Sequence, residues 1–116
     1  MNLIISTINF KHHNFTVSKT LKNIEWEGID AVIFHESIDS ELDTILGLAD
    51  AFSTVKKFIY INDNLHSLFV GLFMGMDGDI YNDSSLLKDE DTLNFLISDY
   101  KNTGMTIKTP EGDVEA

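Results

Sequence analysis

Short apolar runs alternate along the chain with segments of helical periodicity. Strands are predicted at four such runs: Leu3–Ile5, Ala31–Phe34, Phe58–Ile61 and a short edge strand at Asp79–Tyr81. Ala31–Phe34 is apolar at every position, which is typical of an interior strand in a parallel sheet. Strands that alternate with helices favour right-handed crossovers. The pattern therefore predicts an α/β fold, a single domain with a mostly parallel sheet of about four strands and helices packed on it.

The first two helices are predicted on either side of the Ala31–Phe34 strand. The first begins at Thr16 or Ser18 and ends near Gly28, and its apolar side consists of Val17, Leu21 and Ile24. The second ends at Lys56 and Lys57. It carries an apolar stripe of the kind that faces a core: Leu42, Ile45, Leu46, Ala49 and Phe52.

Two more helices are predicted in the second half of the chain. One runs from Leu65 to about Gly75, and the last is capped by Ser84 or Ser85. Residues 103–116 contain the only Pro and a charged end, so they are predicted to form a C-terminal tail or a short ribbon. The α/β domain is predicted to span residues 1–102.

The joint between the Ala31–Phe34 strand and the second helix is rich in residues that begin helices. Ser37, Asp39 and Ser40 are candidates for the N-cap, and Ser40 with Asp43 three residues later resembles a capping pair. Such strand-to-helix joints are where α/β folds usually hold their binding sites. Five residues of this joint are therefore candidates for partner contact or phosphorylation: Ser37, Asp39, Ser40, Glu41 and Asp43.

The chain is strongly acidic. It has a net charge of −11 and a pI of about 4.4 over 116 residues, and every basic residue is Lys. Such a surface repels phosphate backbones, so we expect no binding to nucleic acid. It attracts basic surfaces, so we expect a basic protein partner, although acidity also maintains solubility without one.

Several classes of protein are excluded by the composition. The absence of Cys rules out disulfides, thiolate metal sites and cysteine catalysis. The most apolar segment, Leu65–Met76, is shorter than the roughly 20 residues of a membrane-spanning helix, and no basic region of a signal peptide begins the chain. We therefore expect a cytoplasmic protein that does not enter a membrane, of undetermined oligomeric state.

Motifs for catalysis and cofactor binding are absent from the sequence. There is no GxGxxG, GxxxxGK[ST] or GxSxG. Asp77–Asp83 alternates oxygen-bearing side chains, but Asn82 stands where a calcium loop needs Gly and Lys88 where it needs Glu. His12 and His13 are adjacent and are expected on the surface rather than on a metal. We therefore expect no cofactor, no metal site and no catalytic residue, and the protein is not expected to be an enzyme.

The run Ile38-Asp39-Ser40-Glu41-Leu42 resembles the phosphorylation motif of STAS domains, the small bacterial anti-sigma-factor antagonists. That family places Asp-Ser-Ser/Thr-Gly-Leu after a strand, at the start of a helix, and the order of elements is similar over about residues 3–100. Here Glu41 replaces the second Ser/Thr and the motif Gly is missing. The resemblance implies a regulatory protein with Ser40 at the phosphoacceptor position. Without it, Ser40 is simply an N-cap.

A second resemblance, over about residues 30–62, is to nucleoside deoxyribosyltransferase-like domains. Ile45-Leu46-Gly47-Leu48-Ala49 is similar to the Glu-Leu-Gly-Tyr-Ala element of that family, with Ile45 at the position of the catalytic Glu. The resemblance implies a pocket for a nucleoside or nucleotide without the catalytic carboxylate.

The sequence thus favours a non-catalytic regulatory protein of STAS-like type that docks on a protein through residues 37–43. One alternative is an acidic inhibitor of a basic protein, of the immunity or phage anti-host and anti-defence type. The other is a deoxyribosyltransferase-like protein that binds a nucleoside or nucleotide. Salt dependence separates the inhibitor from the ligand binder, because only a charge-driven complex weakens steeply with ionic strength.

Overall fold

The computed structural model describes residues 1–98 and the backbone of two strands, residues 106–109 and 112–115. In chain order the elements are β1 (Asn2–Ile5), β2 (Phe15–Ser18), β3 (Ala31–Phe34), α1 (Glu41–Ala51), β4 (Lys57–Ile61), α2 (Ser67–Gly75), β5 (Asp79–Tyr81), a 3₁₀ helix (Ser84–Lys88), α3 (Glu90–Ser98), β6 (Thr106–Thr109) and β7 (Gly112–Glu115).

The first five strands form one parallel sheet in the order β2-β1-β3-β4-β5. This confirms the predicted α/β class, with five strands in the sheet rather than about four. This strand order is that of flavodoxin-like doubly wound folds. From β1 the chain adds β2 on one side and then β3, β4 and β5 on the other, so the order reverses between β1 and β3 while all five strands stay parallel. Beyond the sheet, β6 and β7 pair antiparallel with each other. The predicted boundary at residue 102 lies outside the described residues.

Helical elements cover both faces of the sheet. Alternate strand residues such as Leu3, Val32 and Tyr60 point to one face, where they pack against α1 and α2. The intervening residues, such as Ile4 and Ile33, pack on the other face against the 3₁₀ helix and α3. Two-sided burial explains why β3 is apolar throughout, because both of its faces lie in a core.

The helix predicted from Thr16 or Ser18 to near Gly28 is wrong. Phe15–Ser18 is the edge strand β2, which pairs in parallel with β1. Phe15 is buried and Thr16 exposed, so the period of two in β2 prevails over the helical spacing of Val17, Leu21 and Ile24. Hydrogen bonds between Ser18 and Thr20 then turn the chain away from helix.

The predicted core face of α1 is also wrong. The buried residues are Thr44, Leu48 and Ala51, whereas Leu42 and Leu46 face solvent. The helix ends at Ala51, and Lys57 is already the first residue of β4, so the two lysines do not form its C-terminus. Close approach to the segment after β2 fixes this orientation, because Gly47 lies directly against Leu21.

Two further predictions are corrected on the second face of the sheet. Ser84 and Ser85 begin a 3₁₀ helix capped by Asp83, and α3 begins only at Glu90. His12 is not a surface residue: its ring stacks on Phe10 and its Nε2 lies 2.7 Å from the carbonyl oxygen of Leu87. The histidine therefore ties the loop between β1 and β2 to the 3₁₀ helix.

Candidate functional site

A cleft opens at the carboxyl ends of β3 and β4, where α1 and α2 begin. It encloses about 240 Å³, slightly less than the roughly 300–1,000 Å³ typical of small-molecule sites. His35 and Glu36 follow β3 directly, and Asn62 follows β4. Doubly wound sheets bind ligands outside the carboxyl ends of their strands, at the point where strand order reverses. The cleft lies at that edge, beside the reversal between β1 and β3.

Ser6 and His35 join β1 to β3 at the point of reversal. Because Ile5 pairs with Phe34, the residues that follow, Ser6 and His35, emerge side by side. Both are buried, and Ser6 Oγ lies 2.9 Å from His35 Nδ1. Next to this pair, the hydroxyl of Thr7 donates a hydrogen bond to the carboxylate of Glu36.

Asn62 ties the end of β4 to the end of β3. Its side-chain amide donates to the His35 carbonyl oxygen at 2.8 Å, and its Oδ1 accepts from the Asn64 N–H at 3.0 Å. Both polar ends of the Asn62 side chain are therefore used within the protein. The position of the His35 backbone is fixed from two sides, by Asn62 and by β1.

Tyr60 and His66 form the α2 side of the cleft. The Tyr60 hydroxyl accepts a hydrogen bond from the His66 N–H at 2.9 Å. Burial raises the pKa of Tyr60, and the hydrogen bond from His66 only partly opposes this, so the phenol remains protonated at neutral pH. His66 also caps α2, since its Nδ1 accepts from the Leu68 N–H.

Asp39 holds the loop after β3 against the segment after β2. Its carboxylate accepts hydrogen bonds from the Thr20 hydroxyl at 2.6 Å, the Leu21 N–H at 2.7 Å and the Ser37 hydroxyl at 2.9 Å. Partial burial acts to raise the pKa of Asp39, but these hydrogen bonds outweigh it and hold the pKa below its ordinary value. The carboxylate is thus ionised and engaged inside the protein.

The five candidate residues of the joint have separate places in the structure. Ser40 is the N-cap of α1, accepting from the Asp43 N–H at 3.1 Å, as the capping pair predicted. Ser37 and Asp39 bond to each other. Glu41 Oε1 accepts a hydrogen bond from His66 Nε2 at 2.9 Å. Asp43 Oδ2 lies 3.5 Å from the Nζ of Lys22. Ser37, Asp39 and Glu41 line the cleft; Ser40 and Asp43 lie outside it.

Sequence reasoning missed the residues on the strand ends and on α2: Ser6, His35, Glu36, Tyr60, Asn62 and His66. A usable signal was present, since polar residues directly follow the apolar runs of β1, β3 and β4. What the sequence did not reveal is that β1 and β3 are neighbours.

The cleft is acidic. Glu36, Asp39 and Glu41 line it, and among the described residues no Lys does. The first turns of α1 and α2 already have cap acceptors in Ser40 and His66, so their N–H groups are not all available to an anion. The lining suits neutral or cationic groups that donate hydrogen bonds, and it disfavours phosphates.

Two classes of site are not found in this part of the chain. The described residues contain no group of three or more His, Cys, Asp or Glu side chains that could hold a metal ion. None of their helices has the length and apolar character needed to cross a membrane.

No family model matches the chain, and neither a curated protein nor a solved structure was found to match it. The function is therefore inferred from the geometry of the cleft and from the surface around it.

Proposed function

We propose that the protein binds a small, neutral, hydroxyl-rich ligand of the nucleoside class in the cleft between β3, β4 and the starts of α1 and α2. The observation that carries this proposal is the lining, in which, among residues 1–98, carboxylates without any lysine lie beside the aromatic rings of Tyr60 and Phe69. Sugar hydroxyls donate strong hydrogen bonds to carboxylates, and a planar base packs on aromatic side chains.

Two carboxylates of the cleft have oxygens available for this purpose. Glu36 Oε1 accepts from Thr7 and Glu41 Oε1 accepts from His66. Within residues 1–98, the second oxygen of each carboxylate has no hydrogen-bond partner. A ligand with two free sugar hydroxyls supplies a donor for each.

The resemblance to nucleoside deoxyribosyltransferase-like domains supports the same ligand class. Ile45, at the position of the catalytic Glu in that family, is a partly buried residue of α1. Its side chain cannot act as a nucleophile, so the proposal is binding without glycosyl transfer.

Isothermal titration with thymidine, uridine and adenosine, and with their 5′-monophosphates, tests the proposal. We expect nucleosides to bind and monophosphates to bind about tenfold more weakly or worse, because like charges at about 4 Å cost roughly 1–4 kcal/mol. Glu41→Gln should reduce the difference in affinity between nucleosides and their monophosphates. Asp50→Asn removes the same charge from an exposed position of α1 outside the cleft and should leave it unchanged. Failure of every nucleoside to bind at millimolar concentration, or tighter binding of the monophosphates, contradicts the proposal.

A second candidate is protein docking beside residues 37–43, as in a STAS-like regulator or an acidic inhibitor. It is favoured by three large apolar side chains spaced four residues apart, Ile38, Leu42 and Leu46, which are 68%, 65% and 54% exposed. Ile38 lies in the loop before α1, and Leu42 and Leu46 lie one turn apart on α1. Neighbouring exposed apolar residues are typical of interaction surfaces. Ser40 lies exposed between them at the N-terminus of α1, where a phosphate is electrostatically favourable.

Affinity capture with Leu42→Ser tests this second candidate. Phe95→Ser is the matched control, because Phe95 is an equally exposed apolar residue on α3, on the other face of the sheet. Docking through α1 predicts loss of the partner with Leu42→Ser alone. A STAS-like regulator should also respond to Ser40→Asp, whereas an acidic inhibitor should lose its partner in high salt. Equal capture of the partner by the wild type, Leu42→Ser and Phe95→Ser counts against docking at this surface.

A further inference from the structure

A groove separate from the cleft lies between α1 and the segment after β2. It encloses about 370 Å³ and shares no residue with the lining of the cleft. One wall is the stretch from Leu21 to Trp26, and the other is one face of α1, from Asp43 to Asp50. The two walls meet where Gly47 lies directly against Leu21. Because Leu21 is buried, the wall that faces α1 is anchored in the core.

Both walls of the groove carry apolar side chains. Ile24 and Trp26 are partly buried and pack against the core, and both also line the groove. Leu46 lines it from the opposite wall and is largely exposed. A partner that covers an indole and aliphatic side chains buries apolar area, and the face of an indole also attracts Lys and Arg. The groove therefore offers a partner an apolar contact that is open to solvent.

Carboxylates lie on both sides of this apolar contact. Asp43 is about one turn before Leu46 and Asp50 about one turn after it, and both line the groove. The residues on either side of Trp26 in the chain are exposed glutamates. Residues 23–55 contain neither Lys nor Arg. The groove is thus complementary to a partner that is both apolar and basic.

Lys22 is the only cation among the described residues that line the groove, and it already lies beside one of these carboxylates. Its Nζ is 3.5 Å from Asp43 Oδ2, and the two side chains are 61% and 44% exposed. An ion pair this exposed is weak, so a cation of the partner can replace Lys22 at little cost. Lys22 therefore competes with a basic partner for Asp43.

The spacing of the carboxylates favours a helical partner. Asp43 and Asp50 are seven residues apart, which is about 10 Å along the axis of α1. A helix lying along α1 has the same spacing between two cations seven residues apart, with apolar residues between them that meet Leu46. An extended strand places side chains of one face about 7 Å or about 13 Å apart, so its cations match the two carboxylates less well.

We infer that the groove between α1 and the segment after β2 binds a basic amphipathic helix of a protein partner. Asp43 and Asp50 bind its cations, and Leu46 and Trp26 cover its apolar face. This inference rests on the second candidate of the proposed function, docking at α1, and names the class of partner. It is independent of nucleoside binding in the cleft.

Fluorescence of Trp26 reports on the groove directly, because it is the only Trp of the chain. The probe is a synthetic amphipathic helical peptide without aromatic residues that carries two Lys seven residues apart with Leu between them. Its control is a peptide of the same composition in which the two Lys are adjacent. We expect the first peptide to change the emission of Trp26 and to bind more tightly than the control by about threefold or more. Equal affinity for the two peptides, or binding without a change in emission, overturns the inference.

Two pairs of charge-matched variants locate the contact. Asp50→Asn should weaken peptide binding by about twofold to fivefold, and Lys22→Gln should strengthen it by about the same factor. Asp91→Asn on α3 and Lys88→Gln on the 3₁₀ helix make the same changes in charge at exposed positions on the other face of the sheet. Both controls should have clearly smaller effects. Equal effects of Asp50→Asn and Asp91→Asn, or weaker binding by Lys22→Gln, overturn the groove as the binding site.

Failure of this inference is distinguishable from failure of docking itself. A peptide that does not bind, while Leu42→Ser still abolishes capture of the partner, overturns the basic helix and leaves docking at α1 in place. A peptide that does not bind, together with equal capture by the wild type and Leu42→Ser, overturns both.

Discussion

His66 Nε2 donates a hydrogen bond to Glu41 Oε1 at 2.9 Å, and this contact joins the first turns of α2 and α1. The two helices belong to successive crossovers, and the contact spans the side of the cleft where both begin. The opposite ring nitrogen of His66 accepts from the Leu68 N–H, so one side chain both caps α2 and contacts α1. Glu41, in contrast, has the single described contact with His66.

This asymmetry predicts unequal effects of the two truncations. Glu41→Ala should lower the free energy of unfolding by no more than about 0.5 kcal/mol, because exposed ion pairs contribute about 0–1 kcal/mol. His66→Ala should cost about 1 kcal/mol more, because it also removes the N-cap of α2. Urea denaturation of both single variants and the double variant gives the coupling energy. A coupling well above 1 kcal/mol would contradict the assignment of this pair as a weak surface contact.

Asp39 predicts a dependence of stability on acid pH. Its pKa in the folded protein is lowered by hydrogen bonds from Thr20, Leu21 and Ser37, which outweigh partial burial. A lowered pKa contributes stability that is complete above the ordinary Asp value of about 3.9 and is lost as the pH falls through the folded-state value. Asp39→Asn should therefore be less stable than the wild type at neutral pH, and the difference should shrink below about pH 4.

The measurement is urea denaturation of both proteins at a series of pH values. The slope at acid pH should be reduced in Asp39→Asn but not removed, because hydrogen bonds from Ser85 also lower the pKa of Asp83. Ser37→Ala is a useful second variant, since it removes one of the three hydrogen bonds and keeps the charge. Parallel stability curves for wild type and Asp39→Asn would show that the carboxylate does not have the partners assigned to it.

Local features were predictable from the sequence to the extent that their causes are local. The sequence offers Ser37, Asp39 and Ser40 as caps and marks Ser40 by Asp43 three residues on, and Ser40 is the cap, because capping depends only on a few neighbouring residues. Ala31–Phe34 was identified as an interior strand from its apolar run alone. The helix predicted from Thr16 or Ser18 to Gly28 is wrong, because its apolar residues fit a helix and only pairing with β1 shows that Phe15–Ser18 is a strand.

The site was less predictable, because it depends on which strands are neighbours. Ser6 and His35 are 29 residues apart in the chain and meet only because β1 lies beside β3. Tyr60 reads as one more apolar position of β4, and its hydroxyl becomes informative only when it meets the backbone of His66. The joint at residues 37–43 lies at this edge of the sheet, and its polar side chains are engaged with one another and with Thr20, Leu21, Lys22 and His66.

The orientation of α1 predicts opposite outcomes for two leucines two residues apart. Leu48 is fully buried on the face of α1 that packs on the sheet, whereas Leu46 is largely exposed on the opposite side. Leu48→Ala should lower the free energy of unfolding by about 2–5 kcal/mol, and Leu46→Ala should change it by less than about 0.5 kcal/mol. The substitution and the helix are the same in both variants, so each serves as the control for the other. Comparable losses of unfolding free energy for the two variants in chemical denaturation would mean that Leu46, and with it the predicted apolar stripe, faces the core.

Two helical glycines predict opposite signs for the same substitution. A Cβ at Gly47 would lie 2.8 Å from the Cβ of Leu21, where α1 meets the segment after β2. The neighbouring atom is close to the backbone and cannot swing aside, so Gly47→Ala should cost about 1–3 kcal/mol of packing energy, more than the roughly 1 kcal/mol of helix propensity it gains. A Cβ at Gly71 of α2 meets nothing within 4 Å, so Gly71→Ala should raise the free energy of unfolding by about 0.5–1 kcal/mol. Thermal and urea denaturation of the two variants measure both signs. Stabilisation by Gly47→Ala would mean that α1 does not approach Leu21 closely, and the loop that Asp39 anchors would then lie elsewhere.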